Sequence, residues 1–484
     1  MEHKITTTYL YRSTRKIVML AIASSILAGT AKSQRSLPFG DDALVLGVGQ
    51  VRTGMHGSWQ FYDQVYTGNG AVASYGSQYS FAAAGTAAFP SLAGNETAIR
   101  TVSGQNAFTL SLGATDVQAT HRTASTSLLL DLGLPGRLMI SAEIPFVRVE
   151  ATARISANSE IGSANVGANP ALTSVSAFAA DTLLANQISR ARTALSTQLS
   201  SCLGNSASQC ATVNARRTEA QALVNTSATL SSGILLLATS PFVPLSSSAT
   251  HAAITTRVAA VAAAYRDFGI STVTGTSITS ATLPITGAAY RDFLANSSIG
   301  PGGTLPSFRT LTRLGDISLT AKFRVTETDK VRAAGFARIF FPTGGKPSAG
   351  ELLPLVAGEG LSRTELGGVA DLFLANRVFT TVTGSGIFGM SDGSKAGFNF
   401  SVTPGYAFNK WLLLGAQYQT RHVGDATDNR VGGGISFSNL SASRTMGPRF
   451  PLEATFFHSQ SISGSGFQPK TFSDEIRVRI FARR

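Results

Sequence analysis

Residues 314–325, with the sequence LGDISLTAKFRV, alternate strictly between apolar and polar side chains. The apolar series runs through the odd positions from Ile317 to Val325, and the polar series runs through the even positions from Asp316 to Arg324. Because successive side chains of an extended chain point to opposite faces, this segment has one apolar and one polar face. The pattern predicts a β-strand that separates two different environments.

Eleven other segments have comparable strand character. In chain order the twelve are 44–66, 116–132, 137–153, 314–325, 331–341, 364–374, 377–390, 397–408, 411–422, 430–438, 451–459 and 472–481. Tight turns, such as 133–136, 326–330, 375–376 and 409–410, alternate with longer connections. An even strand number with short turns at one end and long loops at the other is typical of bacterial outer-membrane barrels. We therefore predict an all-β membrane protein, an antiparallel transmembrane β-barrel of about 12 strands (12–14).

Aromatic residues favour this barrel over a soluble β-sandwich, whose strands also alternate. Tyr406, Phe408 and Trp411 gather at the tight turn 409–410. Aromatic side chains are enriched where a membrane protein meets the membrane–water interface. We predict that these three residues belong to an interface girdle at the periplasmic end of the barrel.

The first 31 residues have the features of a signal peptide. A basic region that ends at Lys16 precedes an apolar core at 17–28, and the small residues Gly29 and Ala31 suit a cleavage site. The core is shorter than the roughly 20 residues of a membrane-spanning helix. No later segment is predicted to span a membrane as a helix, so a closed barrel is the expected spanning structure. The expected location is the bacterial outer membrane.

Four regions follow from these patterns. They are a signal peptide at 1–31, a first barrel part at 32–153 with three strands and a long outer loop, an insert at 154–313, and nine more strands at 314–484. The insert is rich in Ala, Ser and Thr, and we predict that it is mostly helical and extracellular. A repeat, AAYRDF, occurs at 263–268 and 288–293 and is interpreted as a local duplication that packs the insert. Cys202 and Cys210 are predicted to form a disulfide, as expected in an oxidising compartment.

The chain carries 40 Lys and Arg residues against 27 Asp and Glu residues, a formal net charge of +13. The signal region contributes four of the basic residues and one acidic residue. An exported chain does not meet nucleic acid in the cell, so the basic excess indicates either attraction to anionic lipopolysaccharide or a basic lumen. The predicted partners are outer-membrane lipid and lipopolysaccharide, the barrel-assembly machinery and a small-molecule solute, with no nucleic acid. The oligomeric state stays open.

Charged residues on the polar strand faces are the candidate lumen wall. They are Arg137, Glu143, Asp316, Lys322, Arg324, Arg332, Arg338, Glu453, Arg477 and Arg479. Pro145 is predicted to shift the register of its strand, after which Arg148 and Glu150 become the polar pair. Two interpretations remain open: a selectivity surface that draws anionic solutes, or a ladder of ion pairs that fills a narrow barrel.

Few features of the sequence indicate an enzyme. His56 and Ser58 have the spacing of a base and a nucleophile on one strand face, which is the basis of a weak barrel-lipase hypothesis. No zinc-ligand cluster appears, and the glycines of Thr343–Lys346 lack the strand-to-helix context of a phosphate loop. We predict no enzyme activity, no cofactor and no metal.

Several motifs resemble a known family. The segments LDLGLPGRL at 130–138, EIPFV at 143–147, LGDISLTAKFR at 314–324 and FFPTG at 340–344 are similar to strands of the phenol-degradation meta-pathway outer-membrane proteins. Those proteins are barrels distantly like long-chain fatty-acid transporters. The resemblance implies passive movement of small, often hydrophobic, compounds.

Two functions are therefore expected. The first is an outer-membrane channel or passive transporter for small solutes, either hydrophobic or anionic. The alternative is a non-conducting barrel that displays the 154–313 insert for adhesion or complex assembly.

Overall fold

Twelve strands form one closed antiparallel barrel. A computed structural model describes residues 37, 39–158, 163–346, 350–353, 355–375, 377–390, 395–409, 411–439 and 451–483. The predicted signal peptide at 1–31 lies outside these residues. Each strand pairs with its neighbours in the chain, and the first strand pairs with the last, from Gln50 opposite Arg483 to Phe61 opposite Phe472. The predicted fold class is confirmed by this pairing.

The strands are numbered here in chain order. They are β1 Gln50–Tyr62, β2 Thr115–Leu134, β3 Leu138–Ala157, β4 Ile317–Glu327, β5 Val331–Phe341, β6 Arg363–Phe373, β7 Val378–Gly389, β8 Gly397–Ala407, β9 Leu412–Val423, β10 Ala426–Ser438, β11 Leu452–Ser465 and β12 Phe472–Arg483.

Burial along these strands is the reverse of that in a water-soluble protein. In β4 the Lys322 side chain is 4% exposed, whereas its neighbour Phe323 is 51% exposed. The other strands also present large apolar residues outward, among them Phe398 on β8 and Phe456 on β11. An apolar outer face around a polar interior is the arrangement of a transmembrane barrel, whose outward band contacts lipid. The chain is a barrel of the outer-membrane type.

Residues 44–46 were predicted to begin the first strand, but they precede it. Gly49 has φ 72°, a left-handed conformation that glycine adopts without steric cost, and Gln50 N donates to Gly47 O at 3.0 Å. The chain turns there, and β1 begins only at Gln50. The apolar residues before the turn, Leu44 to Leu46, are buried inside the barrel.

The predicted register shift at Pro145 is wrong for β3 itself. Met139 before the proline and Val147 after it are both buried, so the faces of β3 keep their parity. The irregularity lies on the neighbouring chain segment, where Gly315 and Asp316 separate β4 from a short strand, Phe308–Leu314, that also pairs with β3. Gly315 N donates to Pro145 O at 2.8 Å. The segment 314–325 is thus a strand with a break near its start.

A second compact unit comprises residues 76–117 and 154–305. It therefore includes much of the loop that was assigned to the first barrel part, whereas residues 306–313 group with the barrel. Its six helices within the described residues are α1 Ala93–Ser103, α2 Val175–Ser201, α3 Ala211–Ala215, α4 Arg217–Ala238, α5 Ala249–Asp267 and α6 Gly287–Ala295.

The helical unit has its own core and its own cross-link. Tyr265 and Tyr290, from the two copies of the AAYRDF repeat, are both fully buried. The predicted disulfide between Cys202 and Cys210 is present, with the Cα atoms 5.2 Å apart. Helix α4 is long and apolar enough to cross a membrane by composition alone, but it packs along α2 and against α1 as an element of this core.

Candidate functional site

The barrel lumen holds a stretch of chain that is not part of its wall. We call residues 39–49, together with Leu37, the lumenal segment. Its apolar side chains form two groups with the inner faces of the strands. Leu37 and Phe39 pack with Phe379 and Phe457, and residues 43–46 pack with a group that includes Phe336.

Phe39 is accommodated by a glycine of the wall. A Cβ atom at Gly415 on β9 would lie 2.5 Å from the Phe39 ring, closer than any real side chain approaches. The ring therefore occupies space that only glycine leaves open at this position.

Asp42 anchors the middle of the lumenal segment. Its carboxylate lies 3.5 Å from Arg52 Nη1 on β1 and 3.7 Å from Arg479 Nη1 on β12. The Arg52 side chain also pairs with Asp131 on β2, and Arg479 pairs with Glu453 at 3.4 Å. Burial alone would raise the pKa of the Asp42 carboxyl, but these two arginines and Lys322 outweigh it and hold that pKa below its usual range.

Asp41 binds the opposite part of the wall. Arg338 Nη2 on β5 lies 2.7 Å from the Asp41 carboxylate, and Arg338 Nη1 lies 3.3 Å from Glu365 on β6. Burial favours the neutral acid, yet Arg338 and then Lys322 lower the pKa of Asp41 below its usual range. Both aspartates of the lumenal segment are therefore held as anions.

Basic wall residues also bind the backbone of the lumenal segment. Lys322 Nζ donates to Asp42 O at 2.8 Å, and Arg324 Nη2 donates to Val45 O at 2.9 Å. From the other side, Arg477 Nη1 donates to Gly40 O at 3.0 Å. These predicted lumen residues thus meet around one stretch of backbone, because β4 and β12 face it across the interior.

A buried ion pair in the wall completes the anchorage. Arg332 on β5 and Asp371 on β6 are direct cross-strand partners, and Arg332 Nη2 lies 2.5 Å from Asp371 Oδ2. The same oxygen accepts a hydrogen bond from Ala43 N at 3.0 Å, and Thr381 donates to the other oxygen at 2.8 Å. Asp371, which is 0% exposed, therefore ties the wall to the segment.

Two of the predicted lumen residues lie elsewhere. Arg137 is exposed in the turn Pro135–Arg137, where its φ of 66° takes it out of the strand that was predicted to start there. Asp316 lies in the break before β4, and its carboxylate accepts hydrogen bonds from the backbone of Gly344, Glu359 and Gly360 at 2.7–3.2 Å. These hydrogen bonds hold the loop between β5 and β6 in place. None of them reaches the lumenal segment.

A polar cavity of about 300 Å³ adjoins the lumenal segment. His56 on β1 lies between Glu475, at 3.2 Å, and Glu143, at 3.9 Å, on its lining. The predicted lumen residue Glu143 therefore faces the interior beside His56.

The proposed lipase pair is not assembled. Ser58 Oγ, which is buried, is hydrogen-bonded to Ser125 Oγ at 2.8 Å, while the ring of His56 binds Glu475. Among the described residues, no group of three His, Cys, Asp or Glu side chains could hold a metal ion.

The three aromatic residues of the predicted girdle are exposed around the turn between β8 and β9. Tyr406 is 39% exposed and Trp411 is 54% exposed, with Phe408 between them in the chain and equally outward. Their contact with the membrane interface stays a prediction.

Glu143 and Glu453 were predicted as lumen residues, but most of the other acidic partners in the lumen were not identified from the sequence. Asp41, Asp42, Glu365 and Asp371 carry the pairs described above, and Arg52 belongs with them. Glu365 and Asp371 could have been identified from the sequence, because both lie at alternate positions on the inward face of β6. For Asp41 and Asp42 no strand pattern exists, because the lumenal segment is not a strand.

Comparison with known proteins gives similarity at the level of architecture. No protein-family model and no curated protein matches the sequence. Among solved structures, an outer membrane channel from Pseudomonas putida F1 is 10% identical over 92% of this chain and 100% of its own, with a TM-score of 0.41. The toluene transporter TbuX of Ralstonia pickettii is 8% identical over 90% of each chain, with a TM-score of 0.26.

The translocator domain of the autotransporter NalP from Neisseria meningitidis is also similar, with 6% identity, a TM-score of 0.30 and coverage of 99% of this chain and 98% of its own. At such identities and TM-scores the similarity carries no argument about solute or mechanism. The evidence for the barrel is the strand pairing itself. This pairing has the architecture that the sequence motifs predicted.

Proposed function

We propose that this protein is a passive outer-membrane channel for small solutes, with the barrel lumen as the path and the lumenal segment as its closure. The observation that carries the proposal is that the lumen holds a stretch of chain that belongs to no strand. Ion pairs and hydrogen bonds hold this segment, so it can leave without breaking any strand pairing. The outward apolar face is proposed to contact outer-membrane lipid and lipopolysaccharide, and the barrel-assembly machinery is the proposed partner during folding.

Planar-bilayer recording tests this function. The full chain is compared with a chain that lacks residues 37–46, so that the strands of the wall are complete and this part of the lumenal segment is removed. We expect low conductance for the full chain and a large, stable conductance for the shortened chain. If neither chain conducts, and a chain that also lacks 166–305 does not conduct, the channel function is excluded.

A second function is kept because the helical unit is compact, has its own buried core and carries a disulfide. In this proposal the barrel is a non-conducting support that displays the unit for adhesion or complex assembly. Cells that express the full chain would then bind a surface or a partner, and cells that express the chain without 166–305 would not. Equal binding by both kinds of cell excludes it.

A further inference from the structure

A second cavity, of about 510 Å³, lies at one end of the barrel between the β5–β6 loop and the ends of β9 and β10. Four basic side chains and two acidic ones line it, which leaves an excess of positive charge: Arg363, Lys395, Arg421, Arg430, Glu359 and Asp428. Apolar side chains line the rest, including Val356, Leu361, Ile387 and Val423. Its size suits a small organic molecule.

Within this cavity, Glu359 joins two arginines that come from different strands. Its carboxylate Oε1 lies 2.7 Å from Arg421 Nη2 on β9, and Oε2 pairs with Arg363 on β6. The guanidinium of Arg363 also stacks over the Phe340 ring at 4.1 Å, which fixes its plane. One carboxylate thus bridges two arginines that are separated by β7 and β8.

The other charged side chains on the cavity lining have ion-pair partners of their own. Arg430 is matched by Asp428 at 2.5 Å, and Lys395 by Asp425 at 3.5 Å on the rim. Arg363 and Arg421 are left with Glu359 as their shared partner in the cavity. Arginine binds carboxylates through two parallel N–H donors, so two arginines around one carboxylate keep donors available for a second.

We propose that Arg363 and Arg421 form a binding subsite for an organic carboxylate with an apolar body. Glu359 occupies the two guanidinium groups and competes with the ligand for them. Val356, Leu361, Ile387 and Val423 receive the apolar body. The inference rests on the proposed channel function, since it names a solute class for the same lumen.

Calorimetric titration of the detergent-solubilised full chain tests the subsite, with benzoate as the probe and benzyl alcohol as an uncharged probe of similar shape. We expect benzoate to bind, and we expect Arg421→Gln to weaken its binding about tenfold, the effect of losing one charge-assisted contact. Arg421→Lys keeps the charge and should recover part of the loss. Benzyl alcohol should not distinguish these variants.

The effect of Glu359→Gln on benzoate affinity distinguishes competition with the ligand from a structural role. If the carboxylate of Glu359 competes with the ligand, its removal tightens benzoate binding, whereas a purely structural role predicts weaker binding or none. Arg137→Gln is the matched control, because it removes the same charge from an exposed turn. We expect it to leave benzoate binding unchanged.

Three results would overturn the subsite. They are the absence of benzoate binding to the full chain, equal loss in Arg421→Gln and Arg137→Gln, and weaker binding in Glu359→Gln. Each is distinguishable from failure of the channel function, which is judged by conductance. A chain that conducts but does not bind benzoate keeps the channel and loses this subsite.

Discussion

Gly415 is a residue at which one added atom should affect the closure of the lumen. Because a Cβ there would lie 2.5 Å from the Phe39 ring, Gly415→Ala should displace Phe39 and loosen the lumenal segment. We expect a higher open probability in planar bilayers than for the unmodified chain. Gly433→Ala on β10 is the matched control, since its Cβ would meet only Gly415 O at 3.5 Å. Equal conductance of the two variants would contradict the role of Phe39.

Asp371 and Arg332 form a buried ion pair in the wall. Asp371→Ala leaves the Arg332 guanidinium buried without its main partner, and breaking such pairs typically costs about 3–5 kcal/mol. We expect a loss of this size in the free energy of unfolding, measured by urea titration of the barrel in lipid vesicles. The double variant Asp371→Leu with Arg332→Met should recover most of it, because no unpaired charge remains. A double variant as unstable as Asp371→Ala would show that packing, and not charge, is responsible.

The lumenal segment is the element that should keep the lumen closed as the pH falls from 7 to 4. The pKa values of Asp41 and Asp42 are lowered in the folded protein, so their contribution is present above their ordinary pKa near 3.8 and is lost only as pH falls through the lower folded value. We expect the closed conductance at pH 7 to persist at pH 4. A current at pH 4 close to that of the chain without residues 37–46 would contradict this.

The double variant Asp41→Asn with Asp42→Asn supplies the control for the pH experiment. It cannot titrate at these positions, and it loses the ion pairs with Arg338 and Arg52. We expect a raised conductance at both pH values, without a change between them.

Among the elements, the strands could be predicted from the sequence, whereas the position of the lumenal segment could not. The alternation from Ile317 to Val325 specifies which face of β4 is apolar, and the structure places that face outward. By contrast, Leu44–Leu46 has the composition of a strand, and its placement depends on the turn at Gly49 and on Arg324, which is remote in the sequence. Contacts of that kind leave no periodic signal.

For the candidate site, the sequence predicted which side chains face the lumen but not which groups they bind. Lys322, Arg324 and Arg477 were predicted as lumen residues because their inward direction follows from strand parity. What they bind could not be predicted, since the partners are backbone carbonyls of the lumenal segment. Glu359 was missed because it lies in a loop, where neither parity nor periodicity applies.

At the scale of the whole molecule, the chain divides into a barrel and a helical unit, each with its own core. The Cys202–Cys210 disulfide closes a short loop between the end of α2 and the start of α3, entirely within the helical unit. In the loop-closure description, a cross-link of this length stabilises by about 2–3 kcal/mol. Its loss should therefore act on one unit only.

Reduction of the disulfide, or the double variant Cys202→Ser with Cys210→Ser, is expected to speed amide hydrogen exchange in α2 and α4. A stabilisation of this size corresponds to a change in exchange rate on the order of a hundredfold where opening involves the whole unit. Peptides from β9 to β12 should exchange at the same rate with and without the disulfide, because their hydrogen bonds are made within the barrel. Faster exchange in those strands would show that the two units unfold together, and unchanged exchange in α2 would show that packing alone maintains the helical unit.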